Sequence, residues 1–409
     1  MAEIRLAYLV THPIQYQAPL LRRLAREPGV DLTVFFCSDF TARQFLDPTF
    51  GRVIEWDVPL LEGYRYEVLP ALGGRARVSF FRPFSYGLAK RLREGGFQVL
   101  WIHGYNRWFH WLAMWSAKRL GLKVLIRDEA TLISAPRNFG KRLLKQSFFA
   151  GLRRLADGFL AIGSLNRAYY RQYGIAAERI FSVPYAVDNA FFQAGAERAA
   201  IRREELRREL GLEEGRPVIL FVSKIEPRKR PADRLAAYIK LVQSGAVAGP
   251  PYLLFVGDGE QRRPLEEVAG EMHLDSVRFL GFKNQSELPA YYDLCEVLVL
   301  PSVFEPWGLV VNEVMNAGRA VIVSDQVGCG PDLVKNGENG YIFRAGDSGA
   351  LAEALAKVLE NRERCRLLGR NSLKIMAAWG LEEDILGLKT AFRAISPEMT
   401  KNNPGPADG

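Results

Sequence analysis

The sequence predicts an α/β protein of two domains, each a parallel sheet with helices on both faces. The chain has 409 residues, which is more than one hydrophobic core usually fills. Short apolar runs with the length of buried strands alternate with helical segments in the first half. The same alternation returns from residue 217 onward, and it is typical of doubly wound α/β domains. Hydrophobic residues make up 48% of the chain, a globular composition.

Composition also indicates the cellular compartment in which the protein is expected. No apolar run approaches the roughly 18 residues that a transmembrane helix needs. The first ten residues contain a short apolar run without a small-residue cleavage site after it, so we expect a first strand and not a signal peptide. The four cysteines (Cys37, Cys295, Cys329 and Cys365) show no CxxC spacing, which favours reduced thiols over disulfides or zinc. We therefore expect a cytoplasmic protein.

The formal net charge is +9. Such a charge fits nucleic acid, an anionic lipid surface or phosphate-bearing substrates. No nucleic-acid-binding motif accompanies it, so we expect no nucleic-acid partner.

Strand Ile4 to Val10, helix Tyr16 to Arg26 and strand Asp31 to Cys37 begin the first domain. Ligands gather beyond the carboxyl ends of parallel strands, and the first such end carries His12 and Gln15. Both are candidates for the acceptor side, although a structural turn closed by Pro13 explains this segment equally well. Residues 38 to 83 show little periodicity. They are interpreted as a variable insertion near the acceptor side, and a solvated loop explains them equally well.

Helix Phe84 to Glu94 leads into strand Phe97 to Ile102, and His103 closes that strand. The aromatic helix Asn106 to Leu120 follows, with His110 expected in the core. Strand Lys123 to Ile126 then brings Arg127, Asp128 and Glu129 to the same rim of the sheet. The acidic pair could position an acceptor hydroxyl or form an ion pair with Arg127.

A basic amphipathic helix is predicted from Phe139 to Ala156. Its apolar residues (Leu143, Leu144, Phe148, Leu152 and Leu155) lie largely opposite its basic ones (Lys141, Arg142, Lys145, Arg153 and Arg154). Such helices lie on anionic membranes or cover the core of globular proteins. The sequence favours the second interpretation and leaves the first open. Strand Gly158 to Ile162, helix Ser164 to Tyr173 and strand Ile180 to Val183 complete this domain.

The second domain begins with strand Pro217 to Val222, and two lysines five residues apart, Lys224 and Lys229, follow it. Fixed cations stabilise the charge that a departing nucleoside diphosphate gains. Strand Tyr252 to Val256 ends at the tight turn that begins at Gly257, which lets backbone approach a ligand.

The apolar run Val297 to Leu300 is a buried strand, and a helix starts close to Gly308. The amides of Gly308 and Leu309 at that helix start would form an anion seat. Glu305 and Glu313 flank the seat. A nucleotide sugar fits this pattern, with hexose hydroxyls at Glu305, the diphosphate at the helix start and ribose hydroxyls at Glu313. The spacing alone fits a solvated acidic helix equally well.

The run Glu305-Pro306-Trp307-Gly308, followed by Asn312-Glu313 and then Ala317 to Asp325, resembles the donor-site signature of glycosyltransferase family 4. The resemblance implies the GT-B fold, in which two Rossmann-like domains face each other across a cleft. It also implies a retaining enzyme that uses a nucleotide sugar.

Further motifs extend the resemblance. Val99 to His103 matches an apolar run that the family closes with a histidine at the donor sugar, and Lys224 and Lys229 resemble its diphosphate clamp. The implied catalytic residues are His103, Glu305 and Lys229. The implied donor-binding residues are Lys224, Gly257, Gly308, Leu309 and Glu313. The acceptor-side candidates are His12, Gln15, Arg127 and Asp128, where the sequence departs from the family's Gly-rich turn and second histidine.

The resemblance divides the chain into five parts. Residues 1–187 form an acceptor-binding Rossmann-like domain, 188–215 a linker and 216–378 the nucleotide-sugar-binding domain. Residues 379–396 form a helix that crosses back to the first domain, and 397–409 a disordered tail.

The sequence therefore predicts a retaining glycosyltransferase that moves a hexose-type sugar to an acceptor hydroxyl in cell-surface polysaccharide or glycolipid synthesis. We expect no metal and no other cofactor, and a glycan or lipid-linked acceptor. Peripheral contact with the anionic inner face of the membrane stays an open alternative. The alternatives are a GT-B nucleotide-sugar epimerase and a non-catalytic sugar-nucleotide-binding module.

Overall fold

The computed structural model describes residues 4–47, 51–72, 79–134, 138–247 and 249–396. The predicted disordered tail, 397–409, lies outside them. The strands are β1 (Ile4–Val10), β2 (Val30–Phe36), β3 (Phe45–Asp47), β4 (Arg52–Ile54), β5 (Arg65–Val68), β6 (Ala71–Leu72), β7 (Phe84–Ser85), β8 (Val99–His103), β9 (Lys123–Arg127), β10 (Gly158–Ala161), β11 (Ile180–Ser182), β12 (Val218–Val222), β13 (Tyr252–Val256), β14 (Val277–Gly281), β15 (Val297–Leu300), β16 (Ala320–Ser324) and β17 (Gly340–Phe343).

The helices are α1 (Ala18–Leu24), α2 (Leu88–Glu94), α3 (Trp108–Arg119), α4 (Phe139–Leu155), α5 (Ser164–Gln172), α6 (Asn189–Ile201), α7 (Arg203–Glu209), α8 (Pro231–Ser244), α9 (Arg262–Glu271), α10 (Leu288–Leu294), α11 (Leu309–Asn316), α12 (Gly330–Leu333), α13 (Ser348–Val358), α14 (Arg362–Met376) and α15 (Leu381–Ile395). Within the described ranges, no helix is both long enough and apolar enough to cross a membrane.

The chain folds into two compact units. The first takes its described residues from 1–45, 58–185 and 381–409. Its seven strands form a parallel sheet in the order β11-β10-β9-β8-β1-β2-β5. The central strands are buried along almost their whole length. This burial explains why they read as continuous apolar runs in the sequence.

Helix α15 completes the first unit although it lies at the other end of the chain. Its apolar residues Ile385, Leu388 and Phe392 pack in the same core cluster as β1, β2 and α1. A Cβ placed on Gly387 would lie 1.8 Å from the carbonyl oxygen of Ser182, so only glycine allows the helix to approach β11 this closely.

The second unit takes its described residues from 46–57 and 186–380. Its six strands also form a parallel sheet, in the order β14-β13-β12-β15-β16-β17. Helices α8, α9 and α13 share a buried cluster with the central strands. Two parallel, doubly wound sheets are the architecture that the sequence predicts.

The segment predicted to be a linker, 188–215, is folded structure instead. It contains α6 and α7, and α6 packs on α10 and α11. The amide of Asn316 donates to the side-chain oxygen of Asn189 over 2.8 Å. Most charged residues of this segment are exposed on the two helices, although Arg207 is buried. The linker assignment came from the resemblance, and α6 and α7 group with the second unit.

Part of the predicted acceptor-side insertion also belongs elsewhere. Residues 46–57 group with the second unit. The amide of Ser286 donates to Asp57 over 3.2 Å, Asn284 donates to the carbonyl of Glu55 over 2.7 Å, and the ring of Trp56 lies 6.4 Å from that of Phe282. Residues 48–50 and 73–78 of the insertion lie outside the described residues.

Candidate active site

The loops that follow the strands of the second unit lie against each other by close backbone contact. A Cβ on Gly257 would lie 2.0 Å from the carbonyl oxygen of Ser223, and one on Gly259 would lie 2.6 Å from that of Ile225. Both glycines have positive φ angles. The turn after β13 therefore needs glycine at both positions to reach the loop after β12, which carries Lys224 and Lys229.

The loop between β15 and α11 is fixed from a neighbouring strand end. The amide of Glu305 donates to the carbonyl of Gln326 over 3.0 Å, and the amide of Gly328 donates to the carbonyl of Glu305 over 2.9 Å. A Cβ on Gly328 would lie 1.8 Å from the carbonyl oxygen of Pro306. These contacts hold the backbone of Glu305 rigidly.

Helix α11 begins at Leu309, directly after Gly308, whose φ of 96° is left-handed. No side chain caps this helix start. The first amides of a helix have no partner within the helix, and the positive end of its dipole favours anions. The predicted anion seat at Gly308 and Leu309 is thus a real, uncapped helix start.

Lys229 and Glu305 form an ion pair through Nζ and Oε2, and their side chains are only 11% and 12% exposed. Lys229 ends the single 3₁₀ turn Pro227–Lys229. The two loops are tied together beside it, since the amide of Val303 donates to the carbonyl of Arg228 over 3.0 Å. Two predicted catalytic residues therefore neutralise each other in this structure.

Lys224 makes an ion pair that the sequence did not reveal. Its Nζ lies 3.0 Å from Oδ2 and 3.3 Å from Oδ1 of Asp47, at the end of β3. Asp47 belongs to the segment that joins the second unit from the first half of the chain. Nothing in the local sequence pattern could have found this partner, because 177 positions separate the two residues.

Glu313 points from α11 towards Tyr292, whose hydroxyl donates to its Oε2. Burial raises the pKa of Glu313 to about 7. The carboxyl group is therefore close to half ionised at neutral pH, and it accepts hydrogen bonds best above that pH.

A polar network occupies the carboxyl ends of the first unit's strands. His103 lies at the end of β8 with 12% of its side chain exposed. Nε2 of Gln17 lies 3.2 Å from both of its ring nitrogens, and the Tyr185 hydroxyl lies 3.3 Å from Nε2. Burial lowers the pKa of His103 to about 3, so the imidazole is neutral at physiological pH.

The network continues to Glu129. The hydroxyls of Tyr16 and Tyr185 donate to Glu129 Oε1 over 2.9 and 2.8 Å. Neither tyrosine stood out in the sequence, and each is recognisable only once the strand ends are brought together.

The structure separates the four acceptor-side candidates. His12 bonds Thr11 through Nδ1 over 2.9 Å, and burial lowers its pKa to about 4. Gln15 is half-buried on the loop after β1. Asp128 accepts from the amide of Ala130 over 2.8 Å, and burial raises its pKa to about 6. These three lie beyond the strand ends as predicted from the alternation.

Arg127 has a structural role instead. It is 2% exposed, and it pairs with Asp384 of α15 over 2.7 Å. It also donates to the carbonyls of Val183 and Pro184. Its guanidinium is used inside the first unit, so the assignment to the acceptor is corrected. The suggested pair of Arg127 with Asp128 or Glu129 does not form either.

His110 is buried in α3, as expected, with no hydrogen-bond partner for either ring nitrogen. Burial lowers its pKa to about 3. Within the part of the chain that the structure describes, no group of three or more His, Cys, Asp or Glu side chains has the arrangement of a metal site.

Two family models match the chain. The model of "Glycosyltransferase Family 4" matches residues 16–191, and that of "Glycosyl transferases group 1" matches residues 202–375. The boundary between the matches falls within α6 and α7, close to where the second unit's continuous segment begins.

Curated relatives are similar over part of the chain. An alpha-D-kanosaminyltransferase from Streptomyces kanamyceticus is 29% identical over 209 residues, which is 51% of this chain and 52% of that protein. A D-inositol 3-phosphate glycosyltransferase from Nocardia farcinica is 30% identical over 232 residues, 54% of this chain and 49% of that protein. The chain thus spans about half the length of these relatives.

Solved structures match over nearly the whole chain. Sucrose-phosphate synthase from Thermosynechococcus elongatus superposes with a TM-score of 0.69 at 23% identity, covering 97% of this chain and 100% of that one. HepE from Anabaena, solved in complex with UDP, gives a TM-score of 0.70 at 16% identity, covering 96% and 100%. At these identities the likeness shows the fold, which is GT-B.

Proposed function

Since this chain belongs to glycosyltransferase family 4, we propose that it is a retaining glycosyltransferase that moves a hexose-type sugar from a nucleoside diphosphate to an acceptor hydroxyl. The observation that carries the proposal is the constellation in the second unit. Two lysines follow β12, and an uncapped helix start and two carboxylates lie on the loop and helix after the neighbouring strand β15, where Glu305 pairs with Lys229. Cations and helix amides suit a diphosphate, and carboxylates suit the hydroxyls of the two sugars on either side of it.

Lys229 and the helix start would stabilise the diphosphate as the glycosidic bond breaks. Negative charge grows on the leaving oxygen at that moment, so fixed positive groups lower the barrier more than they strengthen ground-state binding. Glu305 already holds the Lys229 ammonium group in place. It would also accept hydrogen bonds from hydroxyls of the transferred sugar.

The same pair supports retention. Retention by double displacement needs a free carboxylate beneath the anomeric carbon, and Glu305 is engaged with Lys229. We assign His103 to the sugar as a neutral hydrogen-bonding group, because its lowered pKa makes it a poor cation. The departing diphosphate oxygen would itself take the proton of the attacking hydroxyl on the same face of the sugar.

The donor sugar and its base are proposed from the comparisons only as a class. HepE has been solved with UDP-glucose, and a starch synthase from Arabidopsis thaliana with ADP and acarbose. We propose a UDP- or ADP-type hexose donor, with a glycan or lipid-linked acceptor in cell-surface polysaccharide or glycolipid synthesis, and no metal.

A panel of UDP, GDP and ADP sugars tests the proposal by thermal shift, because a ligand that binds the native state raises the melting temperature. Incubation of the best binder without acceptor should slowly release nucleoside diphosphate and free sugar. Recovery of an epimerised nucleotide sugar would identify an epimerase. Binding with no turnover at any enzyme concentration would identify a binding module.

One further observation favours contact with an anionic membrane. On α4, Phe139, Leu143 and Leu144 are 80%, 56% and 73% exposed, whereas only Phe149 and Leu152 are buried. The predicted apolar face is therefore split: Leu143 and Leu144 are exposed, whereas Phe148, Leu152 and Leu155 pack on the core. No acidic residue occurs between Ala130 and Ala156. Exposed large apolar side chains among cations are the pattern of helices that lie in an anionic interface.

A further inference from the structure

We propose that Glu129 is the residue of this enzyme that binds the acceptor, and that it takes a hydroxyl of an uncharged polyhydroxy compound such as a sugar, glycoside or cyclitol. The inference rests on the proposed function. It assigns a role to a residue for which the sequence offered only two open alternatives. Its basis is the way in which the two oxygens of one carboxylate are used.

All of the hydrogen bonds that the described residues give to Glu129 go to one oxygen. Tyr16 and Tyr185 both donate their hydroxyls to Oε1, over 2.9 and 2.8 Å. Their rings lie 5.6 Å apart. Two donors on one oxygen fix the plane of the carboxylate. The lone pairs of Oε2 have no hydrogen-bond donor among the residues that the structure describes.

The side chain that carries the free oxygen reaches solvent, since 41% of it is exposed. Of the two tyrosines that hold it, Tyr185 is 3% exposed and Tyr16 is half-buried. The carboxylate is therefore held rigidly through Oε1, and Oε2 is left to accept a hydrogen bond from a ligand. A substrate hydroxyl is the donor that best matches one free carboxylate oxygen.

The support reaches deep into the first unit. Tyr8 donates to Oε1 of Gln17 over 2.7 Å, which fixes the orientation of the amide and leaves its Nε2 to donate towards His103. The Tyr185 hydroxyl donates to Glu129, so its oxygen can accept from His103 Nε2, 3.3 Å away. The network therefore assigns the proton of the neutral imidazole to Nε2 and the bond from Gln17 to Nδ1.

In this series of hydrogen bonds every donor points the same way. The series runs from Tyr8 through Gln17, His103 and Tyr185 to Glu129. Aligned hydrogen bonds polarise one another, and the Glu129 carboxylate accepts the last of them, from Tyr185. The opposite face of the Tyr185 ring lies against the buried Arg127 guanidinium, 4.6 Å from the ring centre. Tyr185 is therefore held by buried groups, and it in turn fixes the position of Glu129.

The neighbouring Asp128 lacks these properties. Its Oδ1 turns back to cap the amide of Ala130, and burial raises its pKa to about 6. Glu129 thus takes the place that the sequence analysis offered to Asp128. Because Glu129 presents negative charge, an acceptor with a phosphate or carboxylate next to the bound hydroxyl should be disfavoured.

The test uses the full chain, the nucleotide sugar that gives the largest thermal shift, and a panel of myo-inositol and methyl hexosides as acceptors. Glu129→Gln keeps the shape of the side chain and removes its charge. It should raise the KM for the acceptor about tenfold, as expected for a hydrogen bond to a charged group. The dissociation constant of the donor should change by less than twofold.

Tyr16→Phe leaves the carboxylate in place with one support removed. It should raise the acceptor KM by a smaller factor than Glu129→Gln does. Glu62→Gln, at an exposed position of the same unit, is the matched control and should behave as the wild type. The wild type should also use a methyl hexoside better than its 6-phosphate, and Glu129→Gln should narrow that preference.

The outcomes separate the two proposals. Absence of donor hydrolysis and of transfer would reject the proposed function itself. Donor hydrolysis without transfer to any neutral polyol would reject only the assignment of the acceptor class. An unchanged acceptor KM in Glu129→Gln, or a loss of donor affinity as large as the loss of acceptor affinity, would overturn the role of Glu129.

Discussion

At the scale of single residues, Lys229 and Glu305 depend on each other. Each side chain compensates the buried charge of the other. Their side chains are 11% and 12% exposed. Removing one member of such a pair leaves an uncompensated charge, which typically costs about 3 kcal/mol. The catalytic role proposed for the pair is therefore coupled to its structural role, and a single substitution changes both.

Lys229→Met should lower kcat more than it raises the donor KM, because the phosphate charge grows in the transition state. It should also lower the free energy of unfolding by about 3 kcal/mol. The double variant Lys229→Met/Glu305→Gln should recover most of the stability and none of the rate. An effect on KM alone would show that Lys229 binds ground state and transition state equally. Denaturant unfolding and steady-state kinetics measure both effects.

Glu313 is proposed to bind the ribose of the donor, and we expect that contact to depend on pH. Its pKa is raised by burial to about 7, and only the ionised form accepts from both ribose hydroxyls. Affinity for a nucleotide sugar should therefore rise between pH 6 and pH 8. At pH 8, Glu313→Gln should weaken binding by roughly 1.5–3 kcal/mol and abolish the pH dependence. Calorimetry at both pH values measures this, and equal affinities in the two proteins would reject the ribose contact.

At the scale of elements, some positions could be predicted and others could not, for a physical reason. Strand ends and the helix start at Leu309 follow from local pattern, so Gly308, Lys229 and His103 fell at the expected places. Asp47 and Asp384 pair with residues far away in the chain. Such partners depend on how elements pack, and no local signal in the sequence marks them.

Helix α4 shows the same limit in its packing. Its periodicity predicted one apolar face. Phe149 and Leu152 are buried in the core of the first unit, Phe148 and Leu155 pack against it partly buried, and Leu143 and Leu144 remain exposed. Periodicity reports which residues share a side of a helix, and the width of the contact is decided by the neighbouring elements. The exposed remainder is what makes membrane contact a testable property of this element.

The vesicle experiment follows from that exposure. Co-sedimentation with vesicles that contain anionic lipid should exceed that with neutral vesicles and should fall as salt rises, because exposed charges are screened. Phe139→Ser/Leu144→Ser and Lys141→Glu/Arg142→Glu should each reduce it severalfold. Ile201→Ser, at an apolar residue of the second unit that is 86% exposed, is the control. Equal binding to both kinds of vesicle would reject the electrostatic contribution.

At the scale of the whole molecule, the two units differ in the titratable groups that they bury. The first unit holds His12, His103 and His110, whose pKa values burial lowers to about 4, 3 and 3. The unfolded chain takes up these protons near pH 6.5 and the folded unit does not, so stability is lost as pH falls through this window. For a fully buried histidine the loss between pH 7 and pH 5 is roughly 2 kcal/mol.

Buried acids act in the opposite direction. Burial raises the pKa values of Asp128 and Asp384 in the first unit to about 6. Their protonation therefore stabilises the folded unit as pH falls and offsets part of the stability lost through the histidines. Glu313 does the same in the second unit. Mild acid should therefore weaken the first unit before the second. Hydrogen exchange at pH 5 and pH 7, corrected for intrinsic rates, measures this; earlier loss of protection in the second unit would contradict it.

The central claim concerns the reaction of the whole molecule, which is transfer with retention of the anomeric configuration. In the proposed mechanism Glu305 binds Lys229 and sugar hydroxyls, His103 makes a neutral contact and Glu129 binds the acceptor, so none of these three serves as a nucleophile. Asp128 and Glu129 are the carboxylates that could serve an inverting route as a base. Proton NMR of the first product formed from an α-linked nucleotide sugar decides between the two. The account predicts an α-linked product, and a β-linked product would contradict it.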